Sequence, residues 1–201
     1  MIAIKDLLKS LLKRGSTRAD ISLFLFKLIL FYLVLNYFFI ACEGLATPGG
    51  KLYSPFILEH LDFISVFRRF LLWGGAQFAS LIGYPSGYTD YNLFVYGGSS
   101  VRMIYSCLGF SLMSAYAALI LAWPAKWFRQ AVSLVIGWVA IILLNMMRLG
   151  GLAVLYSTGN HGFFEYVNHH DLFNIIVLAA AILMFAIYIK YSADKKIDSV
   201  A

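Results

Sequence analysis

Three kinds of reactive side chain stand out in this strongly apolar chain: the thiol of Cys107, the guanidinium of Arg148 and the adjacent imidazoles of His169 and His170. Each suits one part of a covalent acyl transfer. The thiolate form of cysteine is a nucleophile, and a helix N-terminus favours that form through its dipole and unsatisfied N–H groups. A guanidinium can stabilise a thiolate, the oxyanion of a tetrahedral intermediate or a substrate carboxylate. Histidine near its ordinary pKa takes and returns protons at neutral pH. Asn145 lies one helical turn before Arg148 on the same face and offers a further donor.

Each residue also has a plainer reading. Cys107 could be a small buried hydrophobe, or could pair with Cys42 on the oxidising side of a membrane. Arg148 could be an interfacial anchor, and Asn145 a polar contact between helices. The imidazoles could be ordinary interfacial groups, and His60 and His161 carry no assigned role. No CxxC or Cys/His spacing suggests zinc, no HExxH is present, and adjacent His169–His170 with His161 makes a poor ligand set.

The elements that must position these groups are membrane helices. The chain has 201 residues, 61% hydrophobic and only 13% charged, against roughly 25% charged in a soluble domain. So little charge cannot cover a water-soluble globule. The net charge of +6 clusters in particular segments and reads as a topology signal rather than a nucleic-acid surface. About 20 apolar residues cross a bilayer as a helix. Candidate spans are 21–42, with Lys27 near its inner end; 107–123, stopped by Pro124; 131–150, free of charge until Arg148; and 171–190. The basic segment before the first span is expected to be an amphipathic helix on the inner surface, followed by a retained anchor rather than a cleaved signal.

Residues 51–83 are apolar but interrupted by Glu59, His60, Asp62, Arg68 and Arg69. They read as one or two helices in the outer interface, or a re-entrant pair, rather than a span. Residues 91–96 and 101–105 are β-prone and flank Gly97-Gly98-Ser99-Ser100, the pattern of a β-hairpin. The expected fold is an all-α polytopic membrane protein with about four spans, outer interfacial helices and a short β-hairpin cap. It forms one domain over 1–201: inner-surface helix 1–20, span 21–42, outer cap 43–106, three-span core 107–190 and inner tail 191–201.

Ten of the sixteen Lys and Arg residues fall in the N-terminal segment, the 124–130 loop and the C-terminal tail. The positive-inside bias therefore puts both termini in the cytoplasm. Cys107 then begins a span entering from outside, Arg148 ends one arriving there, and His169 and His170 precede the last. A thiol, a guanidinium and an imidazole reach one surface from distant parts of the chain.

The segments SCLGFSLMSAYAALILAWP, LLNMMRLGG and NHHDLFN resemble the exosortase/archaeosortase family of membrane-embedded cysteine transpeptidases, over about residues 90–190. The shared pattern is Cys107-Leu108-Gly109 at the start of a span, Asn145-Met146-Met147-Arg148 at the outer end of the next, and His170-Asp171 before the last. Leu108 stands where the family commonly has Ser, and Asn174 where many members have Gly. The chain also has fewer N-terminal spans than the larger exosortases.

The resemblance implies processing of exported proteins that carry a C-terminal sorting signal, made of a short motif, a transmembrane helix and a basic tail. Cys107 would be the nucleophile and His170, or else His169, the general base and acid. Arg148 would stabilise the anion, with Asn145, Asp171 and Gly109 in support. The cleaved protein would pass through a thioester to a surface acceptor, with no metal or cofactor and no nucleic acid, and the enzyme would sit in the cell membrane with its site outside. The alternative is a non-enzymatic small transporter or membrane assembly subunit with a Cys42–Cys107 disulfide.

The orientation is directly testable. A reporter enzyme active only in the cytoplasm should work when fused after Ala201 or inserted at 124–126, and fail when inserted at 84–106. The reverse pattern would overturn the assigned orientation.

Overall fold

The apolar runs fold as helices, because a helix satisfies every backbone polar group within one segment. The computed structural model describes residues 18–46, 52–159 and 169–194, with side chains over 20–46, 52–159 and 175–190. In chain order it has α1 (Arg18–Ala46), α2 (Pro55–His60), α3 (Phe63–Leu81), β1 (Ser86–Tyr88), β2 (Asn92–Val95), β3 (Ser100–Arg102), a 3-10 turn (Tyr105–Cys107), α4 (Phe110–Ala122), α5 (Trp127–Ser157) and α6 (His169–Asp194). The expected helix at 1–20 lies outside the described residues apart from its last three positions, which open α1.

Among the described residues, two helices are long and apolar enough to cross a membrane: Asp20–Ala46, mean hydropathy 2.2, and Trp127–Ser157, mean hydropathy 2.0. α4 has 13 residues, about 20 Å of rise, and the apolar part of α6 over Ile175–Lys190 is also short. α1 exposes Leu23, Phe26, Ile29, Val34 and Tyr37, and α5 exposes Val135, Ile136, Val139 and Leu143. Contiguous apolar surface of this extent is a liability in water and suits a lipid surround.

Segment 51–83 forms two helices. Asp62 caps α3, accepting from the Ser65 N–H at 3.0 Å. The two arginines in this apolar helix hold the sheet. Arg68 Nε donates to the Asp90 carbonyl at 2.8 Å, and its guanidinium lies 4.0 Å over the Tyr91 ring. Arg69 pairs with the Asp90 carboxylate at 2.9 Å, both half exposed or more, so this pair adds little stability. The other face of α3 buries Leu71, Leu72, Gly74, Gly75, Ala76 and Ala79. It packs along α5, with Gly75 and Gly150 at the crossing: a Cβ on Gly75 would meet Leu93 Cδ1 at 2.7 Å, Leu149 Cβ at 3.1 Å and the Gly150 nitrogen at 3.3 Å. Small residues let the two backbones approach.

The expected hairpin is a three-stranded antiparallel sheet, order β1-β2-β3. β2 and β3 pair Leu93 with Val101, so the predicted strands are real but shorter. β1 was not expected, because Pro85 and Gly87 mark a turn. Gly87 serves instead as the partner of Phe94, whose ring occupies the space of its missing side chain. The sheet's tip is tied to the end of α5. The Ser99 N–H donates to Ser157 Oγ at 3.0 Å, and Ser99 Oγ donates to the Tyr156 carbonyl at 3.1 Å.

Pro124 ends α4 as expected: Trp123 before it is extended. Gln130 Nε2 donates to the Ile120 and Trp123 carbonyls, satisfying groups the helix end leaves open. The third apolar run differs from expectation. It continues through Gly150-Gly151 to Ser157, so Arg148 lies nine residues before the end of α5 rather than at it. Glycine in a helix costs roughly 0.5–1 kcal/mol, and the close crossing with α3 recovers that at Gly150.

Replacing Gly75 by Val should destabilise the fold by about 1–3 kcal/mol through overpacking, read as a lower thermal midpoint in detergent. Gly151→Ala, whose Cβ meets open space, should be neutral or stabilising.

Candidate active site

Cys107 ends the 3-10 turn that joins β3 to α4. Its N–H donates to the Ile104 carbonyl at 2.9 Å, and the Leu108 N–H donates to the Tyr105 carbonyl at 2.9 Å. Gly109 follows with φ of +83°, a left-handed conformation that favours glycine, and caps α4. Its carbonyl accepts the first helical bond, from the Met113 N–H at 2.9 Å. The thiol therefore precedes the helix rather than riding on it. Leu108 is buried in the core, so the position where serine is common serves packing here.

An aromatic cluster fixes the start of α4. Phe110 stacks on Phe39 of α1 at 4.4 Å and on Phe67 of α3 at 5.0 Å, with Tyr105 at 6.0 Å.

From the other side, α5 delivers Asn145 and Arg148, three residues apart on its buried face. Asn145 Nδ2 donates to the Cys107 carbonyl at 2.7 Å. Arg148 Nη2 lies 4.0 Å from Cys107 Sγ. Cys107, Asn145 and Arg148 are 6%, 5% and 7% exposed. Asn145 thus bonds the backbone of Cys107 itself.

Cys107 and Arg148 line a cleft of about 350 Å³ with Ser99, Ser100, Val101, Arg102, Leu149, Leu152 and Tyr156. Cys42 lines a different cleft, with His60, Asp62 and Arg69. Among the described residues neither cysteine is in a disulfide. His60 stacks on Phe56 and lies 3.1 Å from its carbonyl, a contact within one helix turn. His169, His170 and Asp171 open α6, but their side chains, like all of His161, lie outside the described residues. The contribution of β3 to the cleft was not anticipated. In the sequence, Gly97–Ser100 reads only as the turn of a hairpin.

Residues 52–187 match a protein family described as transmembrane exosortase. That stretch contains Cys107, Asn145, Arg148, His169 and His170. No curated protein and no solved structure matched the chain.

Asn145→Ala leaves a buried carbonyl without its donor and should cost about 1–3 kcal/mol. Asn145→Asp sets an acceptor against an acceptor and should cost no less. Thermal unfolding in detergent reads both, and unchanged midpoints would show that this bond does not hold the Cys107 turn.

Proposed function

As the chain belongs to the transmembrane exosortase family, we propose that it is a membrane-embedded cysteine transpeptidase acting on exported proteins with a C-terminal sorting signal. The single observation that carries this reading is the buried contact of Arg148 Nη2 with Cys107 Sγ at 4.0 Å inside a cleft, between residues 41 apart in sequence. A guanidinium held against a thiol supplies countercharge for a thiolate, and for an oxyanion forming beside it.

In this mechanism Cys107 Sγ attacks the scissile carbonyl carbon, whose oxygen takes the negative charge near Arg148. His170, or its neighbour His169, gives a proton to the leaving amine as the C–N bond breaks, which leaves a thioester. An acceptor amine or hydroxyl then attacks the thioester, and the same imidazole takes its proton. Cys107 leaves as thiolate and the exported protein is joined to a surface carrier; water in place of the acceptor gives hydrolysis. Asn145 acts on position, holding the Cys107 carbonyl so that the thiol faces the cleft. Asp171, next in the chain, supports the imidazole in this reading.

The chain crosses the cell membrane four times in this reading, through α1, α4 with its preceding turn, α5 and α6, with both termini cytoplasmic. α2, α3 and the sheet form the outer cap. The substrate's own transmembrane helix lies against the bundle. Tethering it there raises the effective concentration of the scissile bond, which is a large part of barrier lowering.

The test is processing of a co-expressed exported protein bearing such a signal. Cys107→Ala should abolish it, and Arg148→Ala should lower it by about 100-fold or more. Cys42→Ala should leave it unchanged. Processing that survives loss of Cys107, at equal protein abundance, would rule out the transpeptidase.

A further inference from the structure

The sheet has a free edge beside the nucleophile. Among the described residues β3 pairs with one strand, β2, and lies at the edge of the sheet. Bonds from the Val95 N–H to the Ser99 carbonyl at 3.2 Å and from the Met103 N–H to the Tyr91 carbonyl at 2.7 Å fix the ladder. In an antiparallel pair the bonding direction alternates along the strand. Val101 and Met103, with the Ser99 carbonyl, therefore turn backbone groups toward β2, while Ser100 and Arg102 turn theirs away from it. Ser99–Arg102 also line the cleft that holds Cys107 and Arg148, together with Leu149, Leu152 and Tyr156.

We propose that the edge of β3 is the substrate-docking strand: the segment carrying the scissile bond adds to the sheet as a fourth strand, bonding the N–H and C=O groups of Ser100 and Arg102. This rests on the transpeptidase reading and names how its substrate is held. The occupant is an extended peptide, because only an extended backbone offers donors and acceptors at a strand's spacing. Main-chain pairing fixes the scissile carbonyl relative to Cys107 without demanding particular side chains, leaving sequence preference to the cleft walls. It also covers an edge that would otherwise expose unpaired backbone groups.

The edge is anchored well enough to serve as a template. Its tip is bonded to Ser157 and Tyr156 at the end of α5, the helix that carries Arg148. Val101 packs inward against the core between Ser100 and Arg102. The docking strand and the guanidinium therefore share one support.

Disulfide trapping tests this without needing turnover. In a chain carrying Cys42→Ala and Cys107→Ala, Ser100→Cys or Arg102→Cys is combined with single cysteines walked along the sorting motif of an exported reporter. Diamide supplies the oxidant. Trapping should peak at every second reporter position, and the set should shift along the reporter between the two variants. A repeat of about 3.6 residues would mean a helical occupant, and either that or no trapping by variants with normal thermal unfolding would overturn the docking strand. Cys107-dependent processing of the same reporter by the otherwise unaltered chain decides the chemistry separately. Periodic trapping without such processing would keep the docking strand and remove the transpeptidase.

Discussion

The close crossing of α3 and α5 at Gly75 and Gly150 is the constraint on which the site depends. Two helices carrying ordinary side chains lie 8–10 Å apart, and glycine on both sides removes the side chains that would keep these apart. The contact pins α5 two residues after Arg148 and seats Leu93 of the sheet against α3 in the same place. One buried backbone approach thereby sets the depth of Asn145 and Arg148 and the height of the sheet above them.

Around that crossing, several polar groups have a structural task. Asn145 answers the carbonyl that the Cys107 turn leaves facing the core. Gln130 answers the last carbonyls of α4. Ser99, Ser157 and Ala153 form a short bonded chain that welds the turn between β2 and β3 to α5. Arg68 spends its charge on a carbonyl and an aromatic face rather than on a span. Unsatisfied groups cost several kcal/mol in hydrocarbon, so the polar residues left in so apolar a chain mark the places where structure or chemistry requires them.

The cleft draws on three parts of the bundle. α5 provides the cation and an apolar wall, the 3-10 turn provides the thiol, and β3 provides a backbone edge. Gly109 links the parts. Its left-handed conformation turns the chain from the thiol into α4. The aromatic stack on Phe110 holds that turn against α1 and α3, so Cys107 is braced by the two helices that do not otherwise line its cleft.

The amino-acid sequence alone determined the helical runs, the break at Pro124, the paired strands around Gly97-Gly98 and the residue types at Cys107, Asn145 and Arg148. These follow from local rules, in which apolar run length, proline geometry and glycine turns act on the few residues around them. Tertiary structure decided the rest. Gly150-Gly151 resembles a helix end in sequence and continues as helix because α3 occupies the space beside it. Pro85 and Gly87 resemble a turn and include a strand because the Phe94 ring covers the glycine. The separation of Cys107 from Arg148, the bond from Asn145 and the edge of β3 at the cleft join residues that local patterns treat independently. A contact between residues 38 or 41 apart has no periodicity to announce it, and arises only when packing brings the elements together.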